Sequence, residues 1–340
     1  MALEFGVIDH IDRQKVPVHQ TFDERIAQVE RFDKDGFYAY HLTEHHFTPH
    51  GLAPSPIAFL SAVSRITKRI KLIPTVFVLP TYHPLRLAEE ICMLDHLSHG
   101  RFEFGVGRGI VPHELSLFGI NPHEAADITK DAYAVLMKAL TQEKVSHRGD
   151  YYKFFNVPME LRPYQKGAPA FWVTSSSVES MRAAGRDGSN IMLIKNPADC
   201  NAMIDMYMES FRETHPATAI VPKIGLTRHI YISRSQSEAE ERGWFGFKGW
   251  YGSHSAMWKR FDSSRGEGDI SHYIRAQAMS FGTPEFVRDE LLAQIRTAPR
   301  VNYLVPRFSF GDLTHDECMK SYDMFRTEVM PALQEMQAAA

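Results

Sequence analysis

The stretch Ile70-Lys-Leu-Ile-Pro-Thr-Val-Phe-Val-Leu79 leads through Pro84-Leu-Arg-Leu-Ala-Glu-Glu-Ile-Cys-Met-Leu-Asp-His-Leu-Ser98 and Gly100 to Phe102-Glu-Phe-Gly-Val106. The first segment is a β-branched apolar run, which predicts a buried strand. The second opens on a proline and stops at a glycine, the asymmetry of a helix with defined ends. The third is a strand again. Strand, helix and strand in succession form a βαβ unit, which requires a parallel sheet with a right-handed crossover.

The alternation extends in both directions from this unit. Strand-like runs fall at Glu4–Asp9, Phe37–Leu42, Ile70–Leu79, Phe102–Val106, Phe171–Thr174, Asn190–Ile194, Pro222–Ser233 and Val301–Val305, eight in all. The first helix is expected to open on a capping box at Thr21-Phe-Asp-Glu24 and to stop at Gly36. Later helices are expected over Pro56–Arg69, Ala125–Leu140, Val178–Arg186, Ala198–Thr214, Gln236–Trp258 and Thr314–Gln337. Eight βα units suit a closed (β/α)8 TIM barrel, an α/β fold with insertions in its βα loops. A doubly wound open sheet is the competing arrangement. No Pro/Gly-rich linker divides the chain, so residues 1–340 read as one domain. A β-hairpin insertion is expected near 145–161, and a mobile lid over the Ser-, Gly- and Asp-rich residues 263–280.

At 340 residues, with 44% hydrophobic and 23% charged, the chain can bury a large core without a disulfide or metal. The net charge of −3, from 38 Lys and Arg against 41 Asp and Glu, excludes nucleic-acid binding by bulk basic charge. Cys92, Cys200 and Cys318 lie far apart, which excludes a disulfide framework or a zinc knuckle. The N-terminus has no signal-peptide pattern, and no apolar run is long enough for a membrane span, so a cytoplasmic protein is expected.

In such a barrel the site lies at the C-terminal ends of the strands. After the second strand comes His41-Leu-Thr-Glu44-His45-His46-Phe47-Thr48-Pro49-His50. His41 and His45 would share a face on a helix, but this segment leaves a strand, and a metal site is not assigned. Glu44 and His46 are expected on one side and His45 on the other. A histidine here can act as general acid or base, the alternative being a polar surface loop. After the fourth strand comes Gly105-Val-Gly107-Arg108-Gly109-Ile110. Ile110 stands where a dinucleotide fingerprint needs its third glycine, so that reading fails. What remains is an arginine flanked by glycines, able to grip a phosphate or else to pair with Glu114. After the fifth strand, Thr174-Ser175-Ser176-Ser177-Val178-Glu179-Ser180 opens a helix. One hydroxyl serves as a cap; the remainder, at the positive end of the helix dipole, suit a phosphate monoester. A serine nucleophile lacks both the GxSxG elbow and a base.

Taken together, Glu44-His45-His46-Phe47, Val78-Leu79-Pro80-Thr81-Tyr82-His83-Pro84, Leu94-Asp95-His96-Leu97-Ser98-His99-Gly100-Arg101-Phe102, Gly107-Arg108-Gly109 and Gly282-Thr283-Pro284-Glu285 resemble the bacterial luciferase-like flavin-dependent monooxygenases. The resemblance implies a barrel that binds reduced FMN (FMNH2) from a separate NAD(P)H:flavin reductase. It also implies activation of O2 as a flavin C4a-peroxide that oxidises an aldehyde, ketone or related, apolar substrate. By the same resemblance His45 is the catalytic histidine, and a non-proline cis peptide is expected at Thr75–Val76. The implied flavin contacts are Thr75, Val76, Gly107, Arg108, Ser175, Ser176, Ser177 and Ser180. A dimer is implied as well. Two departures stand out: luciferases place a reactive cysteine at Gly107, and close relatives often open the following helix with a second basic residue, near where Asp127 stands here, so light emission and a tight phosphate grip are not implied. Phe5, Phe77, Phe104 and Trp172 could wall an apolar substrate pocket or fill the core. The alternatives are a deazaflavin-dependent oxidoreductase on the same barrel, a non-catalytic subunit of a luciferase-like pair, and a metal-dependent hydrolase.

Overall fold

The computed structural model describes residues 3–174, 177–259 and 270–338. The strands, in chain order, are β1 (Glu4–Asp9), β2 (Ala39–Leu42), β3 (Lys71–Pro74), β4 (Phe77–Val78), β5 (Phe104–Gly107), the hairpin β6 (Lys144–Arg148) and β7 (Lys153–Pro158), β8 (Phe171–Val173), β9 (Asn190–Leu193), β10 (Ile224–Ile232), β11 (Met279–Gly282) and β12 (Tyr303–Arg307). The main sheet runs β3-β2-β1-β12-β10-β9-β8-β5-β4, and β11 pairs with β10. Every pairing in it is parallel.

The two ends of that path are halves of one interrupted strand. Leu72 of β3 bridges Phe102, and β4 pairs with β5 at Phe77↔Val106, so the sheet closes on itself. With β3 and β4 counted together, eight staves form the barrel. The run Ile70–Leu79 therefore splits into two strands around Thr75 and Val76, whose peptide bond is cis. The eight expected strands correspond to these eight staves; β11, which pairs with β10, is an addition to them, and its first two residues fall within the expected lid. The sequence Met279-Ser-Phe-Gly282 is short and follows a Ser/Gly-rich stretch, which hides its strand character. Residues 263–269 of that lid lie outside the described residues.

Helices cover the outside: α1 (Val18–Lys34), α2 (Pro56–Ile66), α3 (Pro84–Leu97), α4 (Pro112–Leu117), α5 (Ala125–Thr141), α6 (Val178–Asp187), α7 (Pro197–Thr214), α8 (Gln236–Lys259), α9 (Ser271–Arg275), α10 (Pro284–Thr297), α11 (His315–Met324) and α12 (Met330–Ala338). The capping box expected at Thr21 is absent. Pro17 precedes the first turn of α1, and Thr21 is buried inside the helix with an unpartnered hydroxyl. Proline at a helix start fixes φ in advance, and here it sets the boundary one turn earlier. A capping box is formed instead by Thr314 and Glu317, opening α11. Gly36, with φ +84°, stops α1.

Apolar faces of α1–α3, α5–α7 and α10 pack on the outer face of the sheet. Inside the barrel, Ile8, Ala39, Ile73, Trp172, Met192, Tyr303 and Val305 form a separate cluster. A third cluster, with Phe247 and Trp250 of α8 against Tyr231, Phe281 and Phe310, roofs the C-terminal end of β10–β12. Phe5, Phe77, Phe104 and Trp172 are all buried in the core. They pack the barrel and do not wall a substrate pocket.

Candidate functional site at the barrel mouth

Segments leaving the C-terminal ends of the strands build the mouth. On one side, the cis peptide turns the chain between β3 and β4. Thr75 is held there by its N–H to the Leu42 carbonyl (2.8 Å) and its hydroxyl beside His41 Nδ1 (2.9 Å). His41 Nε2 lies 2.9 Å from the Tyr303 hydroxyl, and the ring packs edge-on against Trp172. Burial pushes the His41 pKa down to about 3, so this ring is a neutral brace. The glycines of β5 make room for the bulge. A Cβ on Gly107 would sit 2.7 Å from Val76 Cγ2, and one on Gly105 would sit 2.6 Å from the Trp172 carbonyl oxygen. Glycine is required here for close approach.

Arg108 follows at the strand end, exposed and without a hydrogen-bond or ion-pair partner among the described residues. The expected alternative, a pair with Glu114, does not form. β5 pairs with β8 at Gly105↔Trp172, so the loop that opens α6 leaves the neighbouring stave. Ser177 caps α6, accepting the Ser180 N–H at 3.2 Å, and its hydroxyl donates to Ser180 Oγ at 2.8 Å. Ser175 and Ser176 lie outside the described residues.

His45 projects from the loop after β2. Its Nδ1 lies 3.3 Å from Glu114 Oε1 on α4, and the same oxygen accepts the His46 N–H at 3.2 Å. A carboxylate accepts, so Nδ1 carries the proton and Nε2 is the atom left to take or deliver one. Glu44 and His46 lie together on the other side, as expected, although the chain has already left the strand there. His46 Nε2 lies 2.9 Å from Glu44 Oε1, and the Tyr82 hydroxyl donates to Glu44 Oε2 at 2.7 Å. Burial raises the Glu44 pKa, opposed by these two hydrogen bonds.

Beyond His45 lies a group not assembled in the sequence reading. The ring of His10, just after β1, stacks on His45 with centroids 5.8 Å apart, and His50 packs against both. Arg307, at the end of β12, donates to His10 Nδ1 at 2.9 Å and His229 Nε2 at 2.7 Å, with its guanidinium 4.9 Å over Trp250 of α8. Burial, reinforced by Arg307, lowers the pKa of His10 and His229 and keeps both neutral. Arginine only donates, so His10 carries its proton on Nε2 and His229 on Nδ1. One ring nitrogen each of His10, His45 and His50 lies within 4.8 Å of the others, a spacing that could hold a metal ion. The tautomer of His10 and the adjacent guanidinium oppose a cation there.

His45, Thr75, Val76, Gly107 and Arg108 thus share one end of the barrel, with Ser177 and Ser180 at the start of the helix that follows the adjoining stave. Glu114, His10, His229, Trp250 and Arg307 were not assigned to the site from sequence. A charged residue closing the apolar run Tyr303-Leu-Val-Pro-Arg307 was the available signal.

Residues 3–310 match the family described as luciferase-like monooxygenase. The alkanal monooxygenase alpha chain of Photorhabdus laumondii is 26% identical over 92% of this chain and 93% of its own. The oxygenating constituent of 3,6-diketocamphane monooxygenase from Pseudomonas putida, a structure in complex with FMN, superposes with a TM-score of 0.79 at 22% identity, covering 97% of this chain and 98% of that one. The coenzyme F420 dependent tetrahydromethanopterin reductase from Methanopyrus kandleri shares the fold at a TM-score of 0.71 and 19% identity, over 98% of this chain and 100% of that one. The chain belongs to the luciferase-like monooxygenases, a family of flavin-dependent enzymes. Among the described residues no helix is long and apolar enough to cross a membrane.

Proposed function

We propose that this chain is the oxygenating component of a two-component monooxygenase. It receives FMNH2 from a separate NAD(P)H-dependent reductase and uses O2 to oxygenate a small organic substrate. In the balance, one oxygen atom enters the substrate and the other leaves as water, with FMNH2 supplying two electrons and becoming FMN. The observation that carries the reading is Arg108, exposed and without a partner among the described residues, at the end of a strand whose glycines face Val76 and whose neighbouring stave leads into α6. A permanent cation at one strand end and a helix N-terminus following the next stave together fit a phosphate monoester.

Arg108 and the N-terminus of α6 hold the phosphate end, and the turn at Thr75 and Val76 supports the ring system. His45, oriented by Glu114, moves the proton that the departing oxygen needs, through Nε2. His41 and Thr75 fix the turn without changing charge. The homodimer and the cytoplasmic location implied by the resemblance belong to the same proposal, and sedimentation and fractionation test them.

Anaerobic titration with FMNH2 tests the cofactor. Arg108→Ala weakens binding by roughly 10- to 100-fold, the worth of one charge-assisted hydrogen bond. Binding of reduced F420 with no binding of FMNH2 would overturn the FMN assignment and leave a deazaflavin oxidoreductase, the chemistry named for the Methanopyrus structure.

A further inference from the structure

A chain of hydrogen bonds inside the barrel ends at the mouth. Tyr303 Oη lies 2.9 Å from His41 Nε2, and His41 Nδ1 lies 2.9 Å from Thr75 Oγ. Both rings are buried, Tyr303 at the start of β12 and His41 near the end of β2. The two residues stand 262 positions apart in the chain. Small residues on the neighbouring staves make room for the reach. A Cβ on Gly6 would overlap the Tyr303 hydroxyl, and Ala39, paired with Gly6, adds only a methyl group. Trp172 holds both rings from the side, its centroid 4.7 Å from His41 and 5.4 Å from Tyr303.

The direction of the chain follows from what each group can donate. Burial keeps the His41 ring neutral, with one N–H and one lone pair, and it keeps the Tyr303 hydroxyl protonated. His41 is that hydroxyl's only hydrogen-bond partner among the described residues. Were the hydroxyl to accept from His41, its own proton would be buried and unmatched. Tyr303 therefore donates to Nε2, and Nδ1 carries the ring proton and donates to Thr75 Oγ. The Thr75 hydroxyl in turn donates to the Ile73 carbonyl, 3.4 Å away. With its N–H bound to the Leu42 carbonyl, Thr75 has both polar arms fixed.

Resting on the oxygenase reading, we propose that Tyr303, acting through His41, positions the turn at Thr75 and Val76 against the flavin ring. Tyr303 is a positioning residue, since it acts through His41 and Thr75. A second interior network serves as a control. The Tyr38 hydroxyl and the Trp172 indole N–H both donate to Glu103, at 2.9 and 2.7 Å. Among the described residues no hydrogen bond leads from Glu103 to Thr75.

Anaerobic FMNH2 titration of a double-mutant cycle tests the proposal. Tyr303→Phe weakens binding by about 3- to 10-fold, the worth of one buried hydrogen bond. Thr75→Val keeps the shape, removes the hydroxyl and weakens binding by a similar factor. In the Thr75→Val background Tyr303→Phe adds less than about twofold, because the chain is already cut. Tyr38→Phe leaves the affinity unchanged. Full additivity of the first two changes overturns the proposal, as does equal weakening by Tyr38→Phe. Nitrogen NMR of the flavin-free protein reads the chain without a cofactor: His41 is protonated on Nδ1, and Tyr303→Phe shifts its ring resonances. Protonation on Nε2 in the unaltered protein overturns the proposal whether or not Tyr303→Phe folds. The expected His41 signature without any FMNH2 binding sinks the oxygenase reading and the flavin role of Tyr303 with it, leaving only the chain.

Discussion

The barrel carries a buried arginine at each end, and the two are built differently. Arg101, at the N-terminal end, donates to the carbonyls of Ser64, Thr67, Ile70 and Ser98 and to the Thr67 hydroxyl, at 2.8 to 3.2 Å. Beside it Asp33 accepts the N–H groups of Lys68, Arg69 and Ile70. Every donor there has an acceptor. Arg307, at the C-terminal end, reaches two imidazoles and leaves Nε unpaired. One arginine closes a network of loops, and the other braces two neutral imidazoles. Stability and function are thus assigned to opposite ends of the same staves.

Replacing each arginine breaks the comparison most sharply. Arg101→Met strands four carbonyls, at about 1–3 kcal/mol for each buried group left unsatisfied, and it costs about 4 kcal/mol or more in urea unfolding. Arg307→Met strands only two acceptors, His10 Nδ1 and His229 Nε2, and it also removes a buried charge that has no contacting counter-ion, so the net cost is smaller, about 1–3 kcal/mol. Comparable losses from the two changes would show that the ends are equivalent. His45→Ala follows in size. It lowers the single-turnover oxygenation rate by about 10²- to 10⁴-fold with the unfolding midpoint little changed.

Acid separates the ends next. Burial holds His41 down to about 3 and His254 down to about 4, and it lowers His10, His50 and His229 as well. Below pH 6.5 the unfolded chain binds protons that the folded chain refuses, so stability rises with pH up to that point. Asp12, raised to about 7, and Glu44, raised by burial, act oppositely, but they are two groups against five. For His41 alone the loss between pH 6.5 and 5 is about 2 kcal/mol. At the other end, burial pushes the Asp33 pKa up, but its backbone hydrogen bonds outweigh this and hold it low. Its contribution is lost only as pH falls below about 4. Hydrogen exchange at pH 5 accordingly opens the mouth before the N-terminal loops. Uniform loss of protection would contradict this. The smallest effect is local: Ser177→Ala removes the α6 cap and costs about 1 kcal/mol, read from the thermal midpoint.

The barrel was legible because periodicity is a local property. The unit from Ile70 to Val106 shows strand, helix and strand without help from the rest of the chain. Where local rules competed, they misled: Pro17 overrode Thr21, and Met279–Gly282 hid behind a polar stretch. The site divides the same way. His45 and Gly107-Arg108 stand out within a few residues of sequence. Glu114 was visible only as an alternative partner for Arg108; in the fold it supports His45. Arg307 meets His10 across 297 positions, and only closure of the barrel brings them together.

That closure has a consequence for synthesis. β1 and β12 are neighbours, so the earliest strand waits for the last one before its edge is paired. A ribosome-bound chain that has not reached residue 307 can hold His45 and Arg108 but cannot brace His10. The mouth is therefore the last part of the enzyme to mature. Until then the unpaired edge of β1 is exposed to other nascent chains, and the interval is set by translation speed.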